Sequence, residues 1–273
     1  MFTQAHHSKR NRQLSDTSPI LIDQPADHVC RIQINRPEKL NAVNFDVREA
    51  LLQALPAIVE DPDIRAIVLG GVGGNLSAGG DVPSMQGLSE EGARERLQHI
   101  HRLCRIIWNA DVPIVTAAEG IAAGGAVGLA LLGDYILVGR STKIMVPFLK
   151  LGLVPDWGMM RSLPLRVGLP QARRLILETA TIEGERAVEI GLADRVLDDS
   201  AVMSAAIKQA ERLSRLPRGA VAMVKARLRQ QPSFEQDLAD EERDQVRGLT
   251  SEEFEEGFRA YTEKRSADFI SLG

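Results

Sequence analysis

The sequence predicts an α/β fold whose second part is almost wholly helical, and three observations carry that reading. Short apolar, β-branched runs recur through the first half, at Val29–Asn35, Ile64–Leu69 and Pro113–Ala118. Stretches with helical spacing, Val47–Val59 and Glu90–Trp108, lie between them. From Gln171 onward the strand signal all but disappears. With 273 residues, 44% hydrophobic and 26% charged, the chain is long enough to bury a real core in one large domain or two small ones.

Each element has a local reason. Val29–Asn35 alternates and is β-branched, so it reads as a strand, and Arg36-Pro37-Glu38-Lys39 breaks it. Asp46 is placed to cap the helix over Val47–Val59, which Pro56 should kink or shorten. Asp61-Pro62-Asp63 is a turn, and the uninterrupted apolar run Ile64–Leu69 reads as a strand buried on both faces. A loop follows over Gly70–Gly80, then the helix Glu90–Trp108 and a second buried strand, Pro113–Ala118. Gly124–Leu132 reads as a tightly packed helix of small residues, with short strands at Tyr135–Val138 and Lys143–Val146. The later helices are expected at Pro170–Leu177, Glu185–Ile190, Ala201–Leu216, Arg218–Arg229, Phe234–Arg247 and Ser251–Arg265. Their apolar faces must be covered by the α/β core or by a neighbouring subunit.

Composition excludes several function classes. A net charge of −4 and 4% aromatic residues give neither a basic footprint nor a stacking platform for nucleic acid. Cys30 and Cys104 fit neither a disulfide framework nor a zinc site, so a reducing, cytoplasmic setting and no metal are expected. The uncharged stretch between Glu119 and Asp134 is too short for a membrane span and is interrupted by glycines. Met1–Pro19 is polar and mixed, and reads as a frayed tail rather than a secretory signal.

The glycine-rich loops are the chemical signal. Gly70–Gly74 follows a strand, but a G-x-G-x-x-G register from Gly71 meets Leu76 at its last position, which argues against a dinucleotide loop. Asn75–Gly79 is one residue short of a nucleophile elbow, and Gly79, Gly80 and Pro83 deny it the helix it needs. Ser77-Ala78-Gly79-Gly80-Asp81 and Ala122-Ala123-Gly124-Gly125-Ala126 both follow buried strands and are too small to shield their own N–H groups. Two such loops can each aim one N–H at a single oxygen, an oxyanion hole without side chains, although close helix packing accounts for the same glycines.

As a set, the segments Asn35–Ala42, Ser77–Asp81, Pro113 through Gly120, Gly124-Gly125 through Gly133-Asp134, Leu151–Asp156, Ala187 through Ala193 and Tyr261 through Arg265 resemble the enoyl-CoA hydratase/isomerase, or crotonase, superfamily over Val29–Phe269. The resemblance implies a crotonase-like spiral of ββα units with two roughly perpendicular sheets and a helical C-terminal region. On this basis we divide the chain into a disordered tail (1–18), a crotonase-like α/β core (19–200) and a helical C-terminal oligomerisation region (201–273). It further implies an acyl-CoA thioester substrate, with coenzyme A part of the substrate and no separate cofactor, and a homotrimer or dimer of trimers. Carried over by position, the backbone N–H groups of Ala78 and Gly125 are the oxyanion donors. Lys39 and Leu40 fall where the family contacts CoA, and Tyr261 and Lys264 where a neighbouring subunit reaches it; Lys264 reads equally well as a solvated helix residue.

This sequence departs from the family's hydratases. Their two catalytic glutamates correspond by position to Gly128 and Phe148, neither of which moves a proton. The acid left in the region is Asp156, flanked by Pro155 and Trp157, whose apolar surroundings should raise its pKa and suit it to act as a base. The competing reading is a helix N-cap. Glu119, at a strand end, is the next acid to consider; Asp81 and Asp134 read as structural, and His99 and His101 as surface or lid residues. The expected activity is Δ3-to-Δ2 enoyl-CoA isomerisation through a thioester enolate. The alternatives are hydratase-like or other thioester chemistry using Asp156, and a non-catalytic acyl-CoA-binding protein.

Overall fold

The computed structural model describes residues 18–229 and 234–268. The tail expected over residues 1–18 lies outside them but for Ser18, as do residues 230–233 and 269–273.

The described strands are β1 (Ile20–Ala26), β2 (Val29–Ile34), β3 (Ala66–Gly71), β4 (Ile114–Ala118), β5 (Ile121–Ala123), β6 (Tyr135–Gly139), β7 (Lys143–Met145), β8 (Thr181–Glu183) and β9 (Arg195–Leu197). The helices are α1 (Phe45–Glu60), α2 (Glu90–Trp108), α3 (Gly125–Leu131), α4 (Met159–Val167), α5 (Leu169–Leu177), α6 (Gly184–Glu189), α7 (Val202–Ser214), α8 (Arg218–Arg229), α9 (Phe234–Leu249) and α10 (Glu252–Glu263). A six-stranded sheet runs β1-β2-β3-β4-β6-β9 and a three-stranded sheet runs β5-β7-β8. In the large sheet β1 and β2 form an antiparallel hairpin and every later pair is parallel. β4 and β6 lie in the large sheet, and the strand that follows each, β5 or β7, lies in the small one. Successive strand pairs therefore feed both sheets, and the chain winds as a spiral of the expected class.

The burial pattern explains the strand order. β3 is buried along its whole length, as its uninterrupted apolar run predicts. On one face α7 seats Val202, Ala206 and Ala210 against Val29, Val68, Val115 and Leu137. On the other, α1 and α2 cover a larger core that includes Ile32, Ile67, Leu97 and Ile114. The α9 helix lies across α2 and α4 of the same chain, and α10 packs on the turn Phe148–Leu151. Other apolar side chains of the helical part stay exposed, among them Leu165, Leu169 and Leu177 on α4 and α5, and Met223, Val224 and Leu228 on α8.

Several boundaries differ from expectation for local reasons. α1 is capped by Asn44, whose Oδ1 accepts the Val47 N–H at 3.0 Å, while Asp46 stands inside the first turn. Pro56 lies within α1, yet the helix continues to Glu60. β1 and α4 carry internal prolines, Pro25 and Pro164, and were not expected as elements; β5, β8 and β9 span three residues each, too few to show a period.

The turn after β2 is held by one side chain. Asn41 is fully buried with φ +58, and its Nδ2 donates to Val72 O at 2.9 Å and Asn75 O at 2.7 Å. Its Oδ1 accepts the Arg36 N–H at 2.9 Å. Asn41 thereby ties the Arg36–Asn41 turn to the loop after β3. Asn41→Ala strips three partly buried groups of their partner and puts alanine, which tolerates left-handed backbone less well than asparagine, at φ +58, so we expect a loss of about 3 kcal/mol in urea unfolding. Asn41→Gly should recover the backbone part and leave the hydrogen-bond deficit.

Candidate active site

Two loops meet at the carboxyl ends of β3 and β5. Ser77 and Ala122 form an isolated parallel bridge, with Ser77 N–H donating to Ile121 O and Ala123 N–H to Ser77 O, both at 3.0 Å. Gly79 follows at φ +92, and a Cβ there would lie 2.5 Å from the Ala123 carbonyl oxygen, so no larger residue fits. The same Cβ position is 3.5 Å from the Gly125 nitrogen, which places the first loop against the start of α3. As the first residue of α3, Gly125 has an N–H beyond reach of any carbonyl of its own helix. It is available to an anionic oxygen.

The partner donor is not free. Ala78 N–H donates to Leu40 O at 2.8 Å, because Leu40 adopts a left-handed conformation (φ +49) that turns its carbonyl toward the loop. The expectation of two open donors at Ala78 and Gly125 is therefore corrected: in this conformation Gly125 is open and Ala78 is occupied.

Asp156 reaches the same place from the turn before α4. Its Oδ1 lies 3.3 Å from the Cβ position of Gly125, is buried, and has no hydrogen-bond partner. The cap reading does not hold, since α4 starts at Met159 with Gly158 at its N-cap and no side chain capping it. Trp157, at φ +55 and 2% exposed, packs its indole on Gly125, with Cδ1 and Nε1 each 2.6 Å from that Cβ position. A Cβ on Gly128 would come within 2.5 Å of the Trp157 Cβ. The space beside Gly128, where the resemblance implies the first hydratase glutamate, is thus filled by tryptophan. Phe148, at the second, is buried with its ring edge 3.9 Å from the Cβ position of Gly124.

Burial pushes the Asp156 carboxyl up to about 7, and the negative charge of Glu241 adds to the rise; Arg96 and the Gln245 side chain act in the opposite sense. Glu241 and Gln245 sit one turn apart on α9. Glu241 is buried, with Oε1 2.9 Å from His101 Nε2 and Oε2 accepting the Gly158 N–H at 2.8 Å. Gln245 Oε1 accepts the Val154 N–H at 3.2 Å, so α9 holds both ends of the Asp156 turn.

Other expected residues fall in different places. Leu40 joins the site through its carbonyl; Lys39 is exposed in the same turn. Tyr261 and Lys264 are exposed on and just after α10, and no hydrogen bond or ion pair among the described residues links them to Lys39 or Leu40. The Glu119 carboxyl is raised by burial and bonds the backbone of Met203 in α7, on the far side of the large sheet from Asp156. Asp81 pairs with Arg36 at 3.4 Å, and its side chain does not cap the helical turn that follows it; Asp134 accepts the Ile114 N–H at 2.8 Å and pairs with Lys225, a structural role as expected. His99 and His101 are buried, which corrects the surface or lid reading. Glu241, Gln245, Arg48 and Arg96 were not anticipated around Asp156. No group of three or more His, Cys, Asp or Glu side chains suited to a metal ion occurs among the described residues.

The raised pKa has a sign for stability. Between about 4 and 7 the folded chain keeps Asp156 protonated while the unfolded chain does not, so this group's contribution is full at low pH and lost as pH rises through about 7. Asp156→Asn escapes that loss. Its melting temperature relative to wild type should therefore be more favourable at pH 8 than at pH 5, measured by calorimetry at both pH values.

Comparison with known proteins identifies the family. The family model described as enoyl-CoA hydratase/isomerase matches residues 25–271. A crotonyl-CoA hydratase of Syntrophomonas wolfei is 30% identical over 243 residues, covering 88% of this chain and 94% of its own. A 1,2-epoxyphenylacetyl-CoA isomerase of Escherichia coli is 31% identical over 247 residues, with the same coverage of 88% and 94%. Among solved structures, an enoyl-CoA hydratase/isomerase from Pseudoalteromonas atlantica superposes with a TM-score of 0.82 at 29% identity, covering 92% of this chain and 99% of that one. No described helix is long and apolar enough to cross a membrane.

Proposed function

The chain belongs to the enoyl-CoA hydratase/isomerase family, and from that premise we propose that it shifts the double bond of an enoyl-CoA thioester from Δ3 to Δ2. The observation that carries the proposal is a single buried carboxylate with an unpartnered oxygen beside the open Gly125 N–H, where both hydratase positions hold residues without a proton to give.

In this reading the thioester oxygen sits on the Gly125 N–H, and Ala78 N–H exchanges the Leu40 carbonyl for the same oxygen as substrate enters. Asp156 Oδ1 takes a proton from the α-carbon, and the electron pair moves onto the thioester oxygen as an enolate. Each N–H aimed at that charge is worth about 3 kcal/mol of barrier. Asp156 then returns its proton at the γ-carbon, leaving the double bond one position nearer the thioester. One proton leaves and returns, so no redox cofactor or metal is required by the balance. Lys39 and Leu40 serve the CoA moiety, and Tyr261 and Lys264 reach it from a neighbouring subunit.

Hydration needs a second proton carrier for the attacking water. The buried acid nearest in role, Glu241, is already bound by His101 and the Gly158 N–H, which supports the one-carboxylate reaction over hydratase-like chemistry. A non-catalytic acyl-CoA binder would give no reason for a dry carboxylate with one unpartnered oxygen beside an open N–H.

The test is turnover of 3-enoyl-CoA beside hydration of crotonyl-CoA. Isomerisation should dominate, with kcat/KM rising as pH passes about 7, where Asp156 loses its proton. Asp156→Asn should lower the isomerase rate at least about 100-fold while leaving the fold intact. A stable Asn variant that keeps more than about a tenth of the rate, or hydration within about tenfold of a two-glutamate hydratase, would falsify the assignment.

We also propose a homotrimer or a dimer of trimers, in which the exposed apolar side chains of α4, α5 and α8 meet a neighbour. Sedimentation at micromolar concentration should give the trimer or hexamer mass, and a stable monomer would contradict it.

A further inference from the structure

Arg48 is buried and Arg96 half-buried, and neither makes an ion pair with a carboxylate among the described residues. Arg48, on α1, is 4% exposed. Its Nε donates to His99 Nδ1 at 3.3 Å, and its Nη1 is buried with no hydrogen-bond partner. Arg96, one turn before His99 on α2, has Nη2 3.2 Å from the Cβ position of Gly80 and Nη1 3.3 Å from Ser84 Oγ. Gly80 adjoins Gly79, which in turn abuts the Gly125 nitrogen, so Arg96 stands at the end of the loop that frames the candidate oxyanion site. The Asp156 charge acts on both arginines, yet no carboxylate among the described residues comes within ion-pair distance of either.

The surrounding carboxylates are already engaged. Glu49 is held by His99 Nε2 at 3.0 Å, Asp81 by Arg36, and Glu241 by His101 and the Gly158 N–H. With Arg48 donating to Nδ1, the His99 ring carries its proton on Nε2 and presents it to Glu49, so the ring stays neutral; burial also pushes its pKa down. Arg48 and Arg96 are left with neutral partners, a ring nitrogen and a hydroxyl. A buried cation without a counter-ion is costly to the folded chain, and the cost is offset when an anion arrives.

We propose that Arg48 and Arg96 form a subsite for a carboxylate on the acyl group, so that the enzyme takes the CoA monothioester of a short dicarboxylic acid rather than a plain fatty acyl chain. The inference rests on the acyl-CoA reading above. The thioester oxygen meets the Gly125 N–H, Asp156 faces the carbon beside it, and the far carboxylate extends along the Gly79-Gly80 edge to the two guanidinium groups. Their charge also offsets the effect that a second anion would have on Asp156.

The experiment is equilibrium binding to full-length Asp156→Asn protein, which does not consume the ligand, using two five-carbon thioesters that differ at one end: glutaconyl-CoA, with a terminal carboxylate, and 2-pentenoyl-CoA, with a methyl group. Glutaconyl-CoA should bind at least about tenfold more tightly, the scale of a charge-assisted hydrogen bond. Arg96→Gln and Arg48→Met, each added to that protein, should bring the ratio toward one. Equal affinity, or tighter binding of 2-pentenoyl-CoA, overturns the carboxylate subsite and leaves the acyl-CoA reading standing. Failure to bind either thioester overturns both. A preference unchanged by Arg96→Gln and Arg48→Met also overturns the proposal, because the carboxylate is then held elsewhere. Should Arg48→Met not fold, the ratio without an arginine substitution and the Arg96→Gln ratio decide the matter.

Discussion

Three pieces of backbone come together with no space for a Cβ between them, and the site depends on that approach. The loop after β3 enters at Gly79, α3 starts at Gly125, and the turn before α4 lays Trp157 across both Gly125 and Gly128. Only hydrogen fits at these positions. The same approach explains two facts that look separate in the sequence. Glycine at 128, where the family resemblance implies a hydratase glutamate, leaves room for Trp157, and Trp157 in its left-handed conformation follows the carboxylate that lies against α3. Exclusion of water then does the chemical work: a carboxylate that would be ionised at low pH is held near neutrality because its charged form has lost solvent.

The helical part completes the site within the chain. α9 contributes Glu241 and Gln245, whose side chains accept the N–H groups of Gly158 and Val154 on either side of Asp156. This fixes the turn from outside the α/β core. The helix itself is tied to α2 and α4 by the ion pairs Arg94–Glu242 at 2.9 Å and Arg161–Asp237 at 2.8 Å. Such partly exposed pairs add little individually. The buried His101–Glu241 contact is of another kind, since taking away either member leaves a polar group stranded in the interior. The helical tail thus covers its own core through α7 and α9 while leaving apolar side chains of α4, α5 and α8 on the surface.

Much of the architecture was legible from periodicity, and the failures share a cause. β2, β3, β4 and α2 are long enough to show a repeat, and they fall where the pattern places them. β5, β8 and β9 have three residues each and exist because a neighbour offers hydrogen bonds, a tertiary fact with no local signature. At the site, the glycine pairs and Asp156 could be named from the sequence, yet the occupied state of the Ala78 N–H could not, since it depends on the left-handed turn at Leu40, distant in sequence and brought within hydrogen-bond reach by the fold. Glu241 stands in Asp240-Glu241-Glu242, which reads as a solvated acidic face until α9 is laid on α2. Arg48 is similarly hidden among the ordinary charges of a helix that packs on one side.

A single buried carboxylate suits one class of reaction better than another. Hydration asks two groups to be in opposite protonation states at once, one to take a proton from water and one to supply the carbon. A double-bond shift asks one group to be each in turn. The group that serves both ends works best when its affinity for the proton is balanced near the working pH, because too strong a base releases poorly and too weak a base does not abstract. Burial raises Asp156 toward that balance, Glu241 raises it further, and Arg96 limits the rise. The positive charge of Arg96 thus acts against burial and Glu241, and limits how far the carboxyl is pushed up.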